Sequence, residues 1–295
     1  MPPLRSVETP TLRIAYYESG PADGPAAILL HGFPYDPHAC DAVAEILAGR
    51  GLRVLVPYLR GYGPTQFRDA ATLRSGQQAA LGHDLLDFMD ALGVRQATLA
   101  GYDWGGRAAC IVAALWPERA RGLVTGGGYN IFDHAAMARP AAAAQERRLW
   151  YQYYFQTPRG EAGLRERRRE LCRFIWGLWS PEWRFDDEVF DASAAAFDNP
   201  DFVAVVIHSY RHRFGHVAGN SAFDETEARL ARQPQIEVPT IALVGDDGDL
   251  ADPGEADEDA GLFPNRYRIE RLPGIGHNIP QEAPEAFARA VLEVA

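Results

Sequence analysis

The stretch Ala100-Gly101-Tyr102-Asp103-Trp104-Gly105-Gly106-Arg107 decides how the chain reads. It follows the apolar run Ala97-Thr98-Leu99 and leads into the alanine-rich segment Ala108 to Leu115. A strand, a tight turn flanked by glycine and then a helix form the setting of a nucleophile elbow, where the central side chain is exposed on a strained backbone. The central residue here is Asp103, not a serine. A serine would attack an acyl group, whereas a carboxylate attacks saturated carbon and forms an ester. The chemistry expected is therefore opening of an epoxide ring or displacement of halide, not ester hydrolysis. The following helix favours the anion, because its first-turn amides and the positive end of its dipole stabilise negative charge.

Around the elbow the chain alternates between strand and helix patterns. Leu12 to Tyr17, Ala26 to Leu30, Val54 to Val56, Ala97 to Ala100 and Gly122 to Thr125 read as strands. Ala80 to Leu92 has apolar residues at helical spacing. This alternation predicts a mostly parallel sheet covered on both faces. From about Tyr129 to Glu237 the pattern changes to helical stretches rich in aromatics and arginine. Strands return at Pro239 to Val244 and Tyr267 to Leu272, and Pro284 to Val294 reads as an amphipathic helix. The expected organisation is an α/β core of residues 1–128 and 238–295, with a helical cap of residues 129–237 inserted between its two parts.

Composition limits the function classes. The 295 residues suit one large domain with an insertion, and a chain of that length buries a sizeable core unaided. Forty acidic residues against 29 basic give a net charge of −11, which disfavours nucleic acid and anionic membranes as partners. No run approaches the roughly 20 apolar residues that span a bilayer. No apolar leader follows Met1, so a cytoplasmic enzyme is expected, with a homodimer as a compatible assembly. Three cysteines, Cys40, Cys110 and Cys172, lie far apart without metal-ligand spacing and read as buried apolar residues. No metal or cofactor is expected.

Other segments supply partners for Asp103. His31-Gly32-Phe33-Pro34 follows a strand, and the amides of Phe33 and Trp104 are the natural pair of oxyanion donors. Pro34 suits a cis bond in such a turn. His31 reads as a structural hydrogen-bonding residue more readily than as a base. His277, in Gly274-Ile275-Gly276-His277 after the last strand, is placed to deprotonate a water. The base needs a carboxylate to orient it, expected in the loop Gly245-Asp246-Asp247-Gly248-Asp249-Leu250. Asp247 and Asp249 are both candidates there.

These motifs resemble the α/β-hydrolase superfamily, and within it the capped branch of epoxide hydrolases and dehalogenases that use an aspartate nucleophile. The resemblance extends over essentially the whole chain, through His31-Gly32-Phe33-Pro34, Arg60-Gly61-Tyr62-Gly63, the elbow and Gly274-Ile275-Gly276-His277. It implies two cap tyrosines that hydrogen-bond an epoxide oxygen. Tyr151-Gln152-Tyr153-Tyr154-Phe155-Gln156 and Tyr210-Arg211 carry those roles to Tyr151 and Tyr210, with Tyr153 or Tyr154 as replacements for Tyr151. Gln152, Tyr154, Pro34 and His31 are expected around a small apolar organic substrate. The family's acid position falls on Gly248, between Asp247 and Asp249; a less favoured location after the preceding core strand leads only to Asp133.

Two rival branches match less well. Fluoroacetate-type dehalogenases follow the nucleophile with an arginine and place another three residues later; here Trp104 stands first and only Arg107 matches. Haloalkane dehalogenases share the tryptophan but place a donor such as Asn where this chain has Phe33. The expected activity is hydrolysis of an epoxide to a diol. Carbon–halogen hydrolysis and a non-catalytic ligand-binding homologue are the alternatives.

Overall fold

Strands buried on both faces pair into one sheet in the computed structural model, which describes residues 2–250 and 255–295. In chain order the strands are β1 (Arg5–Glu8), β2 (Leu12–Ser19), β3 (Ala26–Leu30), β4 (Arg53–Pro57), β5 (Gln66–Phe67), β6 (Ala97–Gly101), β7 (Ala120–Gly126), β8 (Thr240–Gly245) and β9 (Tyr267–Leu272). Their order across the sheet is β1-β2-β4-β3-β6-β7-β8-β9, with β5 beside β2. β1, β4 and β5 all pair antiparallel to β2, and every other pairing is parallel. The chain folds as an α/β-hydrolase fold with an inserted helical cap region.

The period-two geometry of a strand sends alternate side chains to opposite faces. Ile28, Leu30, Leu55, Leu99 and Leu123 enter one core cluster, against the helices Gln78–Ala91 and Asp103–Leu115. Ala27, Leu29, Val54, Val56 and Val124 enter the other, against the helices Asp41–Gly49 and Pro284–Val294. Cys40, Cys110 and Cys172 are buried free thiols within this packing.

The sequence does not announce β1 or β5. β1 is a largely exposed edge strand and β5 has only two residues, so neither leaves a run of buried apolar side chains. The elbow helix, legible from Ala108, begins at Asp103. Between β7 and β8 every regular element among the described residues is helical. Helix Arg168–Trp179 buries Cys172, Ile175, Trp176 and Trp179, the spacing of one helical face. That face lies on the core: the Trp176 ring stacks on Tyr35 at 4.7 Å and its indole N–H donates to the Pro34 carbonyl at 2.8 Å. Cap and core therefore share one hydrophobic cluster.

Parallel register places the carboxyl ends of β3, β6, β7, β8 and β9 on one edge. Leu30 pairs with Gly101, Gly101 with Thr125, Gly126 with Leu243 and Gly245 with Leu272. The loops that follow these strands carry Phe33, Asp103, Asn130, Asp247 and His277.

A buried ion pair fixes the loop after β4. Arg60, in the Arg-Gly-Tyr-Gly motif, donates to both carboxylate oxygens of Asp84 at 2.5 and 2.6 Å and to the Ser75 carbonyl at 2.7 Å. A fork of this kind matches the carboxylate geometry in a site where water does not compete. Removing the acid leaves a buried guanidinium uncompensated. Asp84→Ala is expected to lower stability by about 3–5 kcal/mol in urea unfolding, and a loss within about 0.5 kcal/mol would refute that role.

Candidate active site

Asp103 is the first residue of its helix and has φ +50°, a left-handed backbone that non-glycine residues seldom adopt. Such strain costs on the order of 1–3 kcal/mol and persists only where the surroundings enforce it. Here they do. A Cβ on Gly105 would lie 2.3 Å from the Leu30 carbonyl oxygen, and one on Gly32 would lie 2.5 Å from the Asp103 Cβ. Glycine at both positions lets the end of β3 and the elbow touch. The contact places the Phe33 amide on Asp103 Oδ1 as a donor, at 2.8 Å. The Trp104 amide lies in the helix's first turn, where N–H groups lack partners within the helix.

Burial pushes the Asp103 carboxyl up, but the His277 ring, the Arg107 guanidinium and the Phe33 amide together hold it below its ordinary value. His277 Nε2 lies 3.8 Å from Asp103 Oδ2, an electrostatic contact too long for a hydrogen bond. The same Nε2 is buried and has no hydrogen-bond partner. The His277 backbone is fixed more firmly. Its N–H donates to the Trp179 carbonyl at 3.0 Å and the Ser180 hydroxyl at 3.1 Å, both cap atoms. Glu282 closes the turn by accepting from the Gly276 and Asn278 amides at 2.8 and 2.9 Å and from the Ser180 hydroxyl at 2.7 Å. Glu282 was not singled out from the sequence. Its position five residues after His277 in a Pro-interrupted turn is the only signal it gives.

The loop after β8 explains the departure at Gly248. That glycine has φ +87°, and a Cβ there would fall 2.2 Å from the Trp179 carbonyl oxygen. A carboxylate cannot occupy it. Asp247 lines the same cavity as His277 and accepts from the Glu182 amide at 3.1 Å. Asp249 is not among the residues that line that cavity, and Arg147 approaches its carboxylate at 3.5 Å. Neither carboxylate bonds the His277 ring among the described residues. Asp133 caps the helix His134–Met137 by accepting from the Ala135 amide at 2.8 Å.

The cap brings its tyrosines to the elbow selectively. Tyr151 and Tyr210 are both buried, with ring centroids 5.5 Å apart. Burial raises both phenols, Tyr151 to about 12, and the Asp103 charge adds to the rise at each. Tyr153 is exposed and bonds Glu146. Tyr154 packs its ring against Trp150 and Phe155, away from the cavity. Helical geometry explains the difference, since neighbours at one and two residues do not share a face.

The cavity over Asp103 and His277 has a volume of about 210 Å³. Tyr151 and Gln152 line it, while Tyr210, Tyr154, Pro34 and His31 are not among its lining residues. Pro34 follows a cis peptide and its carbonyl is taken by Trp176. His31 Nε2 accepts from the Leu59 amide and Nδ1 lies 3.1 Å from the Gly32 carbonyl, so both nitrogens serve backbone. The wall is also less apolar than the aromatic content of the cap suggests. Arg107, Asn130 and Arg213 belong to it.

The model of the alpha/beta hydrolase fold family matches residues 25–284, most of the chain. The chain belongs to the α/β-hydrolase family. A crystal structure of a candidate epoxide hydrolase from Klebsiella pneumoniae superposes on this hydrolase with a TM-score of 0.96 and 46% identity, covering 99% of this chain and 96% of the other. Epoxide hydrolase A of Mycobacterium tuberculosis is 27% identical over 99% of the hydrolase and 97% of its own length. A haloalkane dehalogenase of Mycobacterium marinum is 34% identical over 66% of the hydrolase and 63% of its own length. The hydrolase is an enzyme of the epoxide-hydrolase and dehalogenase branch, with activity of that type on small organic substrates. A non-catalytic homologue is therefore set aside. No helix among the described residues is long and apolar enough to cross a membrane.

His31 gives the fold a measurable pH dependence. Burial pushes its imidazole down to about 4, against an ordinary value near 6.5. Above pH 6.5 the ring is neutral in both the folded and unfolded chains, and its stabilising contacts count in full. As pH falls from 6.5 towards 4, the unfolded chain takes up a proton that the folded chain refuses. Stability should fall by about 3 kcal/mol across that window. Urea unfolding of wild type and His31→Gln at several pH values measures the difference in slope, and equal slopes would exclude the assignment.

Proposed function

We propose that the protein hydrolyses a small or medium organic epoxide to a diol through an ester on Asp103. The observation that carries this reading is a buried cap phenol, Tyr151, lining the same cavity as a strained carboxylate whose Oδ1 already accepts from the Phe33 amide, with the second buried phenol, Tyr210, packed between Tyr151 and the rings of Phe33 and Trp104.

Asp103 attacks a ring carbon, the carbon–oxygen bond of the epoxide breaks and its electron pair goes to oxygen. The developing alkoxide accepts hydrogen bonds, and then a proton, from Tyr151 or Tyr210. A phenol raised by burial stays protonated and still yields its proton to an alkoxide, which is the stronger base. Gln152 donates to the Tyr151 oxygen at 3.0 Å, which leaves the Tyr151 O–H free to point at substrate. His277 then takes a proton from water, and the hydroxide adds to the ester carbonyl carbon. The amides of Phe33 and Trp104 hold the oxyanion. Collapse releases the diol, with the His277 proton returned to the leaving oxygen, and the proton left on the Asp103 carboxyl passes through water to the tyrosinate, which restores both groups. Of the two acids weighed for orienting His277, Asp247 is the better supported, because it shares the cavity with the base. The second reading is halide displacement by the same nucleophile. Its support is the Trp104 indole N–H, which is buried without a partner and is a donor of the kind that binds halide.

His277→Gln blocks the second half of this scheme. Incubated with styrene oxide, its intact mass should rise by one whole epoxide, the label mapping to Asp103. With a haloalkane, a gain equal to the alkyl group without halide would favour the second reading. No adduct with either electrophile, in a folded protein, would defeat the covalent scheme.

The tyrosines have a separate signature. Tyr151→Phe and Tyr210→Phe should each lower kcat for epoxide opening roughly 10- to 100-fold, and the double variant about 10³-fold or more. Unchanged turnover in the double variant would remove them from the mechanism.

A further inference from the structure

Two arginines on the cavity wall have no step of their own in epoxide opening, although Arg213 also lies 4.7 Å from the Tyr210 ring centroid. Arg107 is on the elbow helix, four residues after Asp103, and Arg213 ends the cap helix Phe202–Arg213. They are 5% and 6% exposed, respectively. No carboxylate forms an ion pair with either among the described residues. Arg107 Nε donates to the Asn130 carbonyl at 3.1 Å and Arg213 Nη1 to the Gln152 side-chain oxygen at 3.2 Å. Arg213 Nε is buried with no acceptor at all. Their guanidinium carbons lie 3.7 and 3.8 Å from the centroid of Phe132. Two such groups cannot share one ring face at that distance, so Phe132 is held between them. The negative faces of the ring attract both cations and offset part of their repulsion.

That arrangement is costly for a fold with no use for it. A buried, unpaired cation is penalised by several kcal/mol, and apolar residues of similar volume would be more stable in its place. Burial and the neighbouring Arg213 charge push Arg107 down to about 9, the mark of positive charge in excess of its compensation. Among the described residues, Asp103 is the carboxylate whose charge acts most on both. Two cations facing one carboxylate leave room for a second anion.

We infer that Arg107 and Arg213 form an anion subsite, and that the substrate carries a carboxylate held there while its reacting carbon faces Asp103. The assignment of substrate class rests on Asp103 being the nucleophile; the existence of the subsite does not. Guanidinium forks suit a carboxylate, and hydrogen bonds to it are charge-assisted. The subsite also orients the substrate. An anion bound at the arginines fixes which end of the molecule reaches the elbow, and its own charge is kept off the nucleophile.

Binding and turnover test the two layers separately. Phenylacetate and its neutral isostere phenylacetamide are titrated calorimetrically into wild type, Arg213→Met and Arg107→Met. Methionine keeps much of the volume and removes the charge, and circular dichroism with a thermal melt verifies folding of each variant. Phenylacetate should bind wild type about 10- to 100-fold more tightly than the amide, and at least one variant should erase that preference. Equal affinity of the two compounds for wild type would overturn the subsite, as would a preference that survives in both variants. The epoxides 3-phenylglycidate and 3-phenylglycidamide are then compared as substrates. A higher kcat/KM for the glycidate, lost in Arg213→Met, supports the substrate class. Preference for the glycidamide overturns it. Carboxylate binding with no turnover of either epoxide would leave the anion subsite standing and count against epoxide hydrolysis itself.

Discussion

The close approach of two backbones, β3 at Leu30 and the elbow helix at Gly105, is the constraint on which the site depends. No side chain fits between them. The helix is thereby pressed onto the end of a parallel strand, and the residue at its start has no relaxed conformation left. Asp103 takes φ +50° because the packing of its neighbours is worth more than the strain. The same approach brings the Phe33 amide to Oδ1, so the strained carboxylate and the amide that donates to it arise from one contact. Placing this contact at the carboxyl edge of a parallel sheet, where the other loops also emerge, brings His277 into reach.

Most of this was legible in the sequence, and for identifiable reasons. β3, β6, β7 and β8 are buried on both faces, so each is a short apolar run bounded by glycine or proline. The elbow carries its constraint in its letters, since Gly101, Gly105 and Gly106 surround a residue whose backbone they force. Features set by the surroundings were not legible. A run of adjacent aromatics does not say which ring faces inward, and only the packing of helix Trp150–Gln156 separates Tyr151 from Tyr153 and Tyr154. The pairing of Arg107 with Arg213 across Phe132 joins segments more than 100 residues apart, which no local pattern encodes. The acid after β8 stayed divided between Asp247 and Asp249 because a loop's turn geometry decides it. The same geometry shows why neither sits at the familiar position, since the left-handed Gly248 lies against the Trp179 carbonyl.

Polar groups inside the site follow a consistent logic. Two buried groups that serve the fold have their partners complete: Arg60 with Asp84 and His31 with two backbone atoms. Where a buried group faces the reaction space, a valence stays open, as at His277 Nε2 and Arg213 Nε. Unsatisfied buried polar atoms are rare in native proteins because they are expensive. Those at Trp104, Arg213 and His277 belong to the elbow helix or the cavity wall, where a ligand can complete them.

The attachment of His277 to the cap has an evolutionary consequence. Its amide is held by Trp179 and Ser180, residues of the insertion, although the histidine itself follows a core strand. A cap is usually regarded as an exchangeable module that tailors the pocket and leaves the reaction centre alone. In this molecule that division fails at one point, because transplanting a foreign insertion would also withdraw the support of His277, the base proposed above. Diversification by cap exchange is therefore open to this lineage only for insertions that present a backbone carbonyl and a hydroxyl where Trp179 and Ser180 now do, and point changes in the pocket wall are its easier route to new substrates.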